Sequence, residues 1–163
     1  MPSSSGWPRA SRVVNVPSRV DDALRVTVAL AESPGTPLSR GKISDSQRIP
    51  VPVLADILVA MKRRGLVANA LGPNGGYRLA RPPSSITLGD IVRAVDGPLA
   101  LIADRDPDDL SYTGPTTALR TVWLAVRGSL TDVLDNVTLE QVQRGQLPQR
   151  IVDIAAEYGL GER

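Results

Sequence analysis

The chain has 163 residues, of which 42% are hydrophobic, and a formal net charge of +2. It contains no Cys and no His, which excludes disulfides, thiolate metal sites, thiol redox sensing and every catalytic arrangement that needs histidine, so that an enzyme is not expected. Residues 1–81 contain 12 Lys and Arg and 5 Asp and Glu, a net charge of +7, whereas residues 82–163 have a net charge of −5. This asymmetry indicates either a polyanion partner for the first half or a chance gradient of solvated charge.

The N-terminal region is predicted to contain a tail and a first helix. Residues 1–15 are rich in Ser and Pro and lack the apolar segment of a secretion signal, so we expect a flexible tail on a cytoplasmic protein. Ser18 is the expected N-cap, with Asp21 at the capping-box position, and apolar residues at helical spacing continue to about Glu32. No apolar run approaches the ~20 residues that span a membrane, so a membrane partner is not expected.

Two further helices are predicted before residue 66. Ser39 starts a short helix over about 40–46, and a tight turn at Gln47-Arg48 follows it. Pro52 suits the first turn of a third helix, because its missing N–H is not needed there, and this helix is predicted to end at Gly65. The apolar residues expected to face inward are Leu54, Ile57, Leu58 and Met61.

A β-hairpin is predicted after the third helix. Residues 66–71 and 77–80 have strand character, and the segment 72–76 contains Asn-Gly, a strong hairpin signal. The order helix, helix, turn, helix, hairpin is that of a winged helix-turn-helix, and we assign it to a domain over 16–98. Taken by itself, the turn at 72–76 would indicate a β-hairpin and no binding function.

An acidic loop is predicted to follow the fourth helix. Thr87 caps that helix, with Asp90 at the capping-box position, and Gly97-Pro98 ends it. The loop over 99–115 contains four aspartates that could in principle bind a hard cation, but their spacing does not match an EF-hand. We favour a solvated loop over a cation site for Asp104, Asp106, Asp108 and Asp109.

The region 116–163 is predicted to contain a dimerisation helix and a C-terminal helical segment. The longest helix, about 116–136, has more apolar positions than a small domain is expected to cover, so we expect a second copy of the chain to cover them. Thr138 with Gln141 caps a short helix, and a last amphipathic segment ends at Gly159. The fold class is therefore mainly α with a small β-hairpin. The candidate dimerisation residues are Leu119, Val122, Trp123, Val126, Leu130, Val133 and Leu134.

Candidate DNA contacts follow from the helix-turn-helix, whose second helix places its first residues in the major groove. Here those residues are apolar and suit thymine methyl groups rather than hydrogen-bond readout. Basic residues would clamp phosphates, and the small residues of the hairpin turn would let the backbone approach a phosphate. Lys62-Arg63-Arg64 on its own would be a solvated helix end. The candidate set is Ser18, Arg19, Ser39, Arg40, Arg48, Pro50, Val51, Val53, Lys62, Asn74, Gly75, Gly76, Tyr77 and Arg78.

Two stretches resemble a known family. Residues 67–81 (VANALGPNGGYRLAR) and 91–98 (IVRAVDGP) closely resemble the IscR/NsrR/CymR type (Rrf type) of winged-helix regulator, and the similarity extends over about 16–142. This resemblance implies a homodimer joined through the long helix that binds promoter DNA, usually as a repressor. Members that carry an iron–sulfur cluster hold three cysteines in the loop before the long helix, and this chain has none there, so we expect no cofactor.

Three positions depart from residues common in that family. Asp22 stands where many members have Tyr, Leu71 where many have Arg, and Ala55 where a Glu is frequent. The first hypothesis is a cluster-free dimeric regulator whose DNA affinity is set by a small-molecule effector, by a protein partner or by neither. A small-molecule effector is expected to bind near 99–102. The alternative is a protein-interaction module that kept the winged-helix fold and lost sequence-specific DNA binding.

Overall fold

A computed structural model describes residues 16–98 and 106–158 of the chain. No helix within those two ranges is long and apolar enough to cross a membrane. The elements are helices α1 (Ser18–Ala31), α2 (Arg40–Gln47), α3 (Val51–Arg63), strands β1 (Val67–Ala70) and β2 (Gly76–Leu79), and helices α4 (Leu88–Val95), α5 (Ala118–Asp135), α6 (Leu139–Arg144) and α7 (Gln149–Tyr158).

The start of α1 differs from the prediction. Pro17 occupies the N-cap position and Ser18 is the first helical residue, with no side-chain cap. The carbonyl oxygen of Pro17 accepts from the backbone N–H of Val20 at 2.9 Å. The carboxylate of Asp21 turns instead to Arg25, one helical turn on, at 3.0 Å. The capping box predicted at Ser18 is therefore wrong.

The three other predicted caps are confirmed. Ser39 accepts from the backbone N–H of Lys42 at 3.2 Å. Thr87 and Thr138 each form a complete capping box with the residue three positions later. Each cap satisfies a backbone N–H that has no partner within its helix, so it fixes where that helix begins.

The hairpin is a two-stranded antiparallel sheet extended by one bridge. Val67 pairs with Leu79 at its base, and Ala70 pairs with Gly76 next to the turn. Leu38, just before α2, bridges to Tyr77 through a reciprocal pair of backbone hydrogen bonds of 3.0 and 2.8 Å. The hairpin is thereby attached to the first residues of the helix-turn-helix.

One aliphatic core holds α1, α3, α4 and α6 together. The four residues predicted to face inward from α3 are all buried, as expected. The side chain of Leu139 in α6 is completely buried in the same core. Its backbone N–H donates to the carbonyl of Ile86 at 2.8 Å, which holds the start of α6 beside the segment before α4. The short helix after α5 therefore returns to the winged helix-turn-helix.

Helix α5 lies against the core only at its C-terminal end. None of its residues is buried, although Leu134 packs against the core. Arg93 of α4 donates to both carboxylate oxygens of Asp135 at 2.8 and 3.2 Å. A β-carbon at Gly89 would overlap that carboxylate, so a side chain at this position would have to displace Asp135 from Arg93.

The variant Gly89→Ala tests this packing. We expect a loss of about 1–3 kcal/mol in the free energy of unfolding, since the added methyl group must displace Asp135. Gly41→Ala is the matched control, because Gly41 is likewise the second residue of its helix and has open space around it. Helix propensity alone makes that control neutral or stabilising by up to about 1 kcal/mol. Urea denaturation of both variants decides, and equal stability would contradict the steric requirement.

Candidate nucleic-acid interface

The first turn of α3 exposes apolar side chains. Val51 and Val53 are 47% and 39% exposed, and both flanking prolines, Pro50 and Pro52, are exposed. The opposite face of the helix supplies the buried core, beginning with Leu54. The core therefore fixes which face of α3 points outward, and that face offers methyl groups rather than hydrogen-bond donors.

The turn between α2 and α3 is held from within. Arg48 adopts a left-handed backbone conformation with φ of 54°, and among the described residues it is the only non-glycine with positive φ. Ile49 is buried, its N–H bonds the carbonyl of Ser44, and its carbonyl accepts from the Ser44 hydroxyl at 2.7 Å. Left-handed backbone is unfavourable for a residue with a β-carbon, so the turn holds the exposed Arg48 at an energetic cost.

Arg25 joins α1 to that turn, a role that sequence reasoning missed. Its Nη1 donates to the carbonyl of Gln47 at 2.6 Å, and its guanidinium pairs with Asp21 and Asp22. The charge of Asp22 is therefore paired inside the protein and not presented bare at the surface. Acidic residues three and four positions before an arginine were the available signal.

The glycines of the hairpin turn have a structural reason. A β-carbon on Gly75 would lie 2.5 Å from the carbonyl oxygen of Ala70, and one on Gly76 would overlap the carbonyl of Leu38. Both positions thus need glycine for the hairpin itself, which is a different reason from the phosphate approach predicted from sequence. At the tip, Asn74 is exposed and Leu71 is 96% exposed.

The remaining candidate contacts are on the surface. The Tyr77 hydroxyl accepts from Arg40 at 3.0 Å, so the structure brings these two side chains of β2 and α2 together. Within 16–98 and 106–158, no hydrogen bond or ion pair joins Arg19 or Lys62 to that pair. The candidate residues of α1, α2, α3 and β2 and their caps that are exposed to solvent are Ser18, Arg19, Ser39, Arg40, Lys62 and Arg78.

Ion pairing divides the basic residues sharply. All five described arginines after residue 81 are in ion pairs, whereas only Arg25 and Arg81 are paired among the ten described Lys and Arg of residues 16–81. The first half of the protein therefore presents cations that are free to meet an external anion. In the described ranges the unpaired ones are Arg19, Arg40, Lys42, Arg48, Lys62, Arg63, Arg64 and Arg78.

The acidic loop is engaged by α5. Asp106 and Asp108 accept from Arg127 at 2.5 and 2.6 Å, and Arg120 pairs with Asp108 at 3.4 Å. The backbone N–H of Asp108, followed by Arg127, holds the pKa of Asp106 below its ordinary value. Both aspartates stay partly exposed to solvent while arginines of α5 pair with them, a contact that the sequence did not predict. Asp104, and the effector site predicted near 99–102, lie outside the described residues.

The predicted dimerisation residues fall into two groups. Leu119, Val122 and Val126 are exposed, at 40%, 49% and 36%. The others are half-buried, and among them Leu134 contacts the core of its own chain. The N-terminal part of α5 therefore carries an apolar surface that no other described part of this chain covers.

A family model described as Rrf2, iron-dependent transcriptional regulator, matches residues 16–145. A helix-turn-helix-type transcriptional regulator of Mycobacterium tuberculosis is 40% identical over 146 residues, which cover 89% of this chain and 91% of that protein. The regulator CymR of Bacillus subtilis is 30% identical over 123 residues, covering 73% of this chain and 82% of CymR.

Solved structures show the same fold. The structure of B. subtilis CymR, called the global cysteine regulator, superposes with a TM-score of 0.69 at 26% identity, covering 81% of this chain and 98% of that one. The structure of IscR from T. potens gives a TM-score of 0.66 at 25% identity, covering 93% of this chain and 95% of that one.

The donor set of this chain does not fit an iron–sulfur cluster. No residue of the sequence is Cys or His, the side chains that hold such clusters in proteins. Among the described residues, no group of three or more Asp and Glu side chains is placed to hold a metal ion either. The two described loop aspartates nearest to α5 already accept hydrogen bonds from Arg127.

The strained turn residue gives a test that separates stability from binding. Replacing Arg48 with Gly removes the unfavourable left-handed conformation, so the free energy of unfolding should rise by about 1 kcal/mol. Loss of one phosphate contact should weaken DNA binding and lower the salt slope by about one. Thermal denaturation and fluorescence anisotropy measure the two effects. Arg63→Ala serves as the charge-matched control, and equal loss of affinity in both variants would contradict a specific role for Arg48.

Proposed function

This chain belongs to the Rrf2 family of transcriptional regulators, and from that premise we propose that it is a dimeric, sequence-specific promoter-binding repressor that acts in the cytoplasm without an iron–sulfur cluster. Its relatives are helix-turn-helix-type transcriptional regulators, and the helix-turn-helix is an element that binds DNA. The finer parts of the proposal concern how this chain reads DNA, what covers α5, and how regulation works without cysteine.

The distribution of unpaired cations carries the proposal. Eight basic residues of the winged helix-turn-helix have no ion-pair partner in the described chain, although acidic residues elsewhere are abundant. Several of them flank the exposed start of α3 and the hairpin, where phosphates would lie beside a helix in the major groove. Such cations release counterions from DNA when they bind, which is the main source of affinity.

Base readout would come from the exposed start of α3. Val51 and Val53 are apolar, and both are exposed on the surface of the protein. In the major groove their methyl groups would contact thymine C5-methyl groups. Leu71 at the hairpin tip offers a further apolar contact, so discrimination would depend on thymine positions and DNA shape more than on hydrogen bonds.

The dimer would form through the N-terminal part of α5. The exposed Leu119, Val122 and Val126 lie on one side of this helix, at spacings of three and four residues. Burial against a second copy would remove them from water and place two α3 helices on half-sites about one DNA turn apart.

The absence of cysteine supports regulation without a cluster. Because the chain has no thiolate or imidazole ligand, the proposed signal is a small molecule or a protein partner. Repression follows if the dimer occupies promoter DNA in competition with polymerase.

The direct test is fluorescence anisotropy of the purified protein with DNA from upstream of its own gene, measured across a salt series. A scrambled fragment of equal length is the control. We expect tighter binding to the native fragment and a log–log salt slope of several units. Equal and weak binding to both fragments would contradict promoter recognition and would favour a protein-interaction module.

The dimer face has its own test. Val122→Glu or Val126→Glu should raise the dimer dissociation constant by at least about 100-fold, since each interface would bury two unpaired carboxylates. Thr121→Glu adds the same charge about 100° around the helix and should leave the dimer intact. Analytical ultracentrifugation gives both constants. If the dimer persists in Val122→Glu and Val126→Glu but dissociates in Thr121→Glu, the interface lies on another face of α5.

A further inference from the structure

A cavity of about 370 Å³ lies at the base of the hairpin, between the C-terminal end of α3 and helix α4. The hairpin base, where Val67 pairs with Leu79, is the end opposite to the turn that would approach DNA. The cavity is therefore set apart from the start of α3 and from the hairpin tip. Its lining includes Arg64, Leu66, Arg81, Asp90, Arg93 and Ala94.

The cavity has an excess of positive charge. Three of its lining residues are arginines, and one is an aspartate. Arg64 has no ion-pair or side-chain hydrogen-bond partner among the described residues, and Arg81 contacts Asp90 only at 3.5 Å. Guanidinium groups bind carboxylates and phosphates with paired hydrogen bonds, so these two side chains are available for an oxyanion.

Arg93 connects this cavity to α5. Its guanidinium lines the cavity, lies 3.5 Å from Asp90 and donates to both oxygens of Asp135. The hydrogen bond that Arg93 donates to Asp135, opposed by partial burial, raises the pKa of Arg93 above its ordinary value. An additional anion beside Arg93 would compete with Asp135 and loosen the contact between α4 and α5.

We propose that this cavity binds a small oxyanion, a molecule with one or more carboxylate or phosphate groups, and that its occupancy alters the contact between α4 and α5 through Arg93. The apolar walls from Leu66 and Ala94 would cover the carbon skeleton of such a ligand, whereas Arg64 and Arg81 would hold its charged groups. This inference deepens the proposed function, since a shift of α5 relative to α3 would change the distance between the two recognition helices of a dimer.

Isothermal titration calorimetry without DNA tests the site itself. Citrate and inorganic phosphate are the two probes, titrated at constant ionic strength against a chloride control, so that a polycarboxylate and a phosphate can be told apart. We expect saturable binding of at least one of them, weakened about tenfold or more by Arg64→Ala or Arg81→Ala, which is the loss of one charge-assisted pair. Arg63→Ala removes a neighbouring charge outside the cavity and should leave binding unchanged.

Two results would overturn the site: no saturable binding of either probe, or equal weakening by Arg63→Ala and Arg64→Ala. Fluorescence anisotropy with promoter DNA then tests whether occupancy of the cavity changes DNA affinity. We expect the bound probe to change the affinity at least about threefold in the unmodified protein and to have no effect in Arg64→Ala. Probe binding with unchanged DNA affinity would overturn the coupling. Because calorimetry needs no DNA, a failure of DNA recognition would be seen separately.

Discussion

The carboxylate of Asp135 lies against α4 in the space that a side chain at Gly89 would fill, and there it accepts two hydrogen bonds from Arg93. The direction in which the uncovered part of α5 leaves the winged helix-turn-helix depends on this junction, because it joins α4 to the end of the long helix. A half-exposed ion pair alone contributes little to stability. Packing therefore also holds the junction, through Leu134 and through Val137 and Leu139 just beyond α5, which are both buried.

Much of the fold could be predicted because its signals are local. The helix caps at Ser39, Thr87 and Thr138 depend on side chains within three residues of a helix start, and all three form as expected. The buried face of α3 follows from spacing alone, and the order of elements was enough to identify the winged helix-turn-helix. Pro17 shows the limit, since a proline before Ser18 took the capping position that a serine usually holds.

The contacts that sequence could not predict join residues far apart in the chain. Arg93 and Asp135 are separated by 42 positions, and the carbonyl of Gln47 is 22 positions from Arg25. The requirement for glycine at Gly76 arises from Leu38, which only the folded backbone brings beside it. No spacing rule covers such pairs. The sequence therefore predicted the candidate DNA contacts as surface residues. It did not predict the hydrogen bonds of Arg25 and Ser44 that hold the turn beneath that surface.

Two sets of contacts connect α5 to other elements through which a signal could act, and they differ in structure. The acidic loop is attached to α5 by Asp106 and Asp108 through exposed ion pairs with Arg127, which solvent and salt screen strongly. The junction at Arg93 has an ion pair of similar exposure, but there Leu134 also packs against the core. In a chain without cysteine to hold a metal in the loop, the proposed anion would compete for Arg93 at a contact between α4 and α5 that is supported by packing, and for that reason we favour the route through α4.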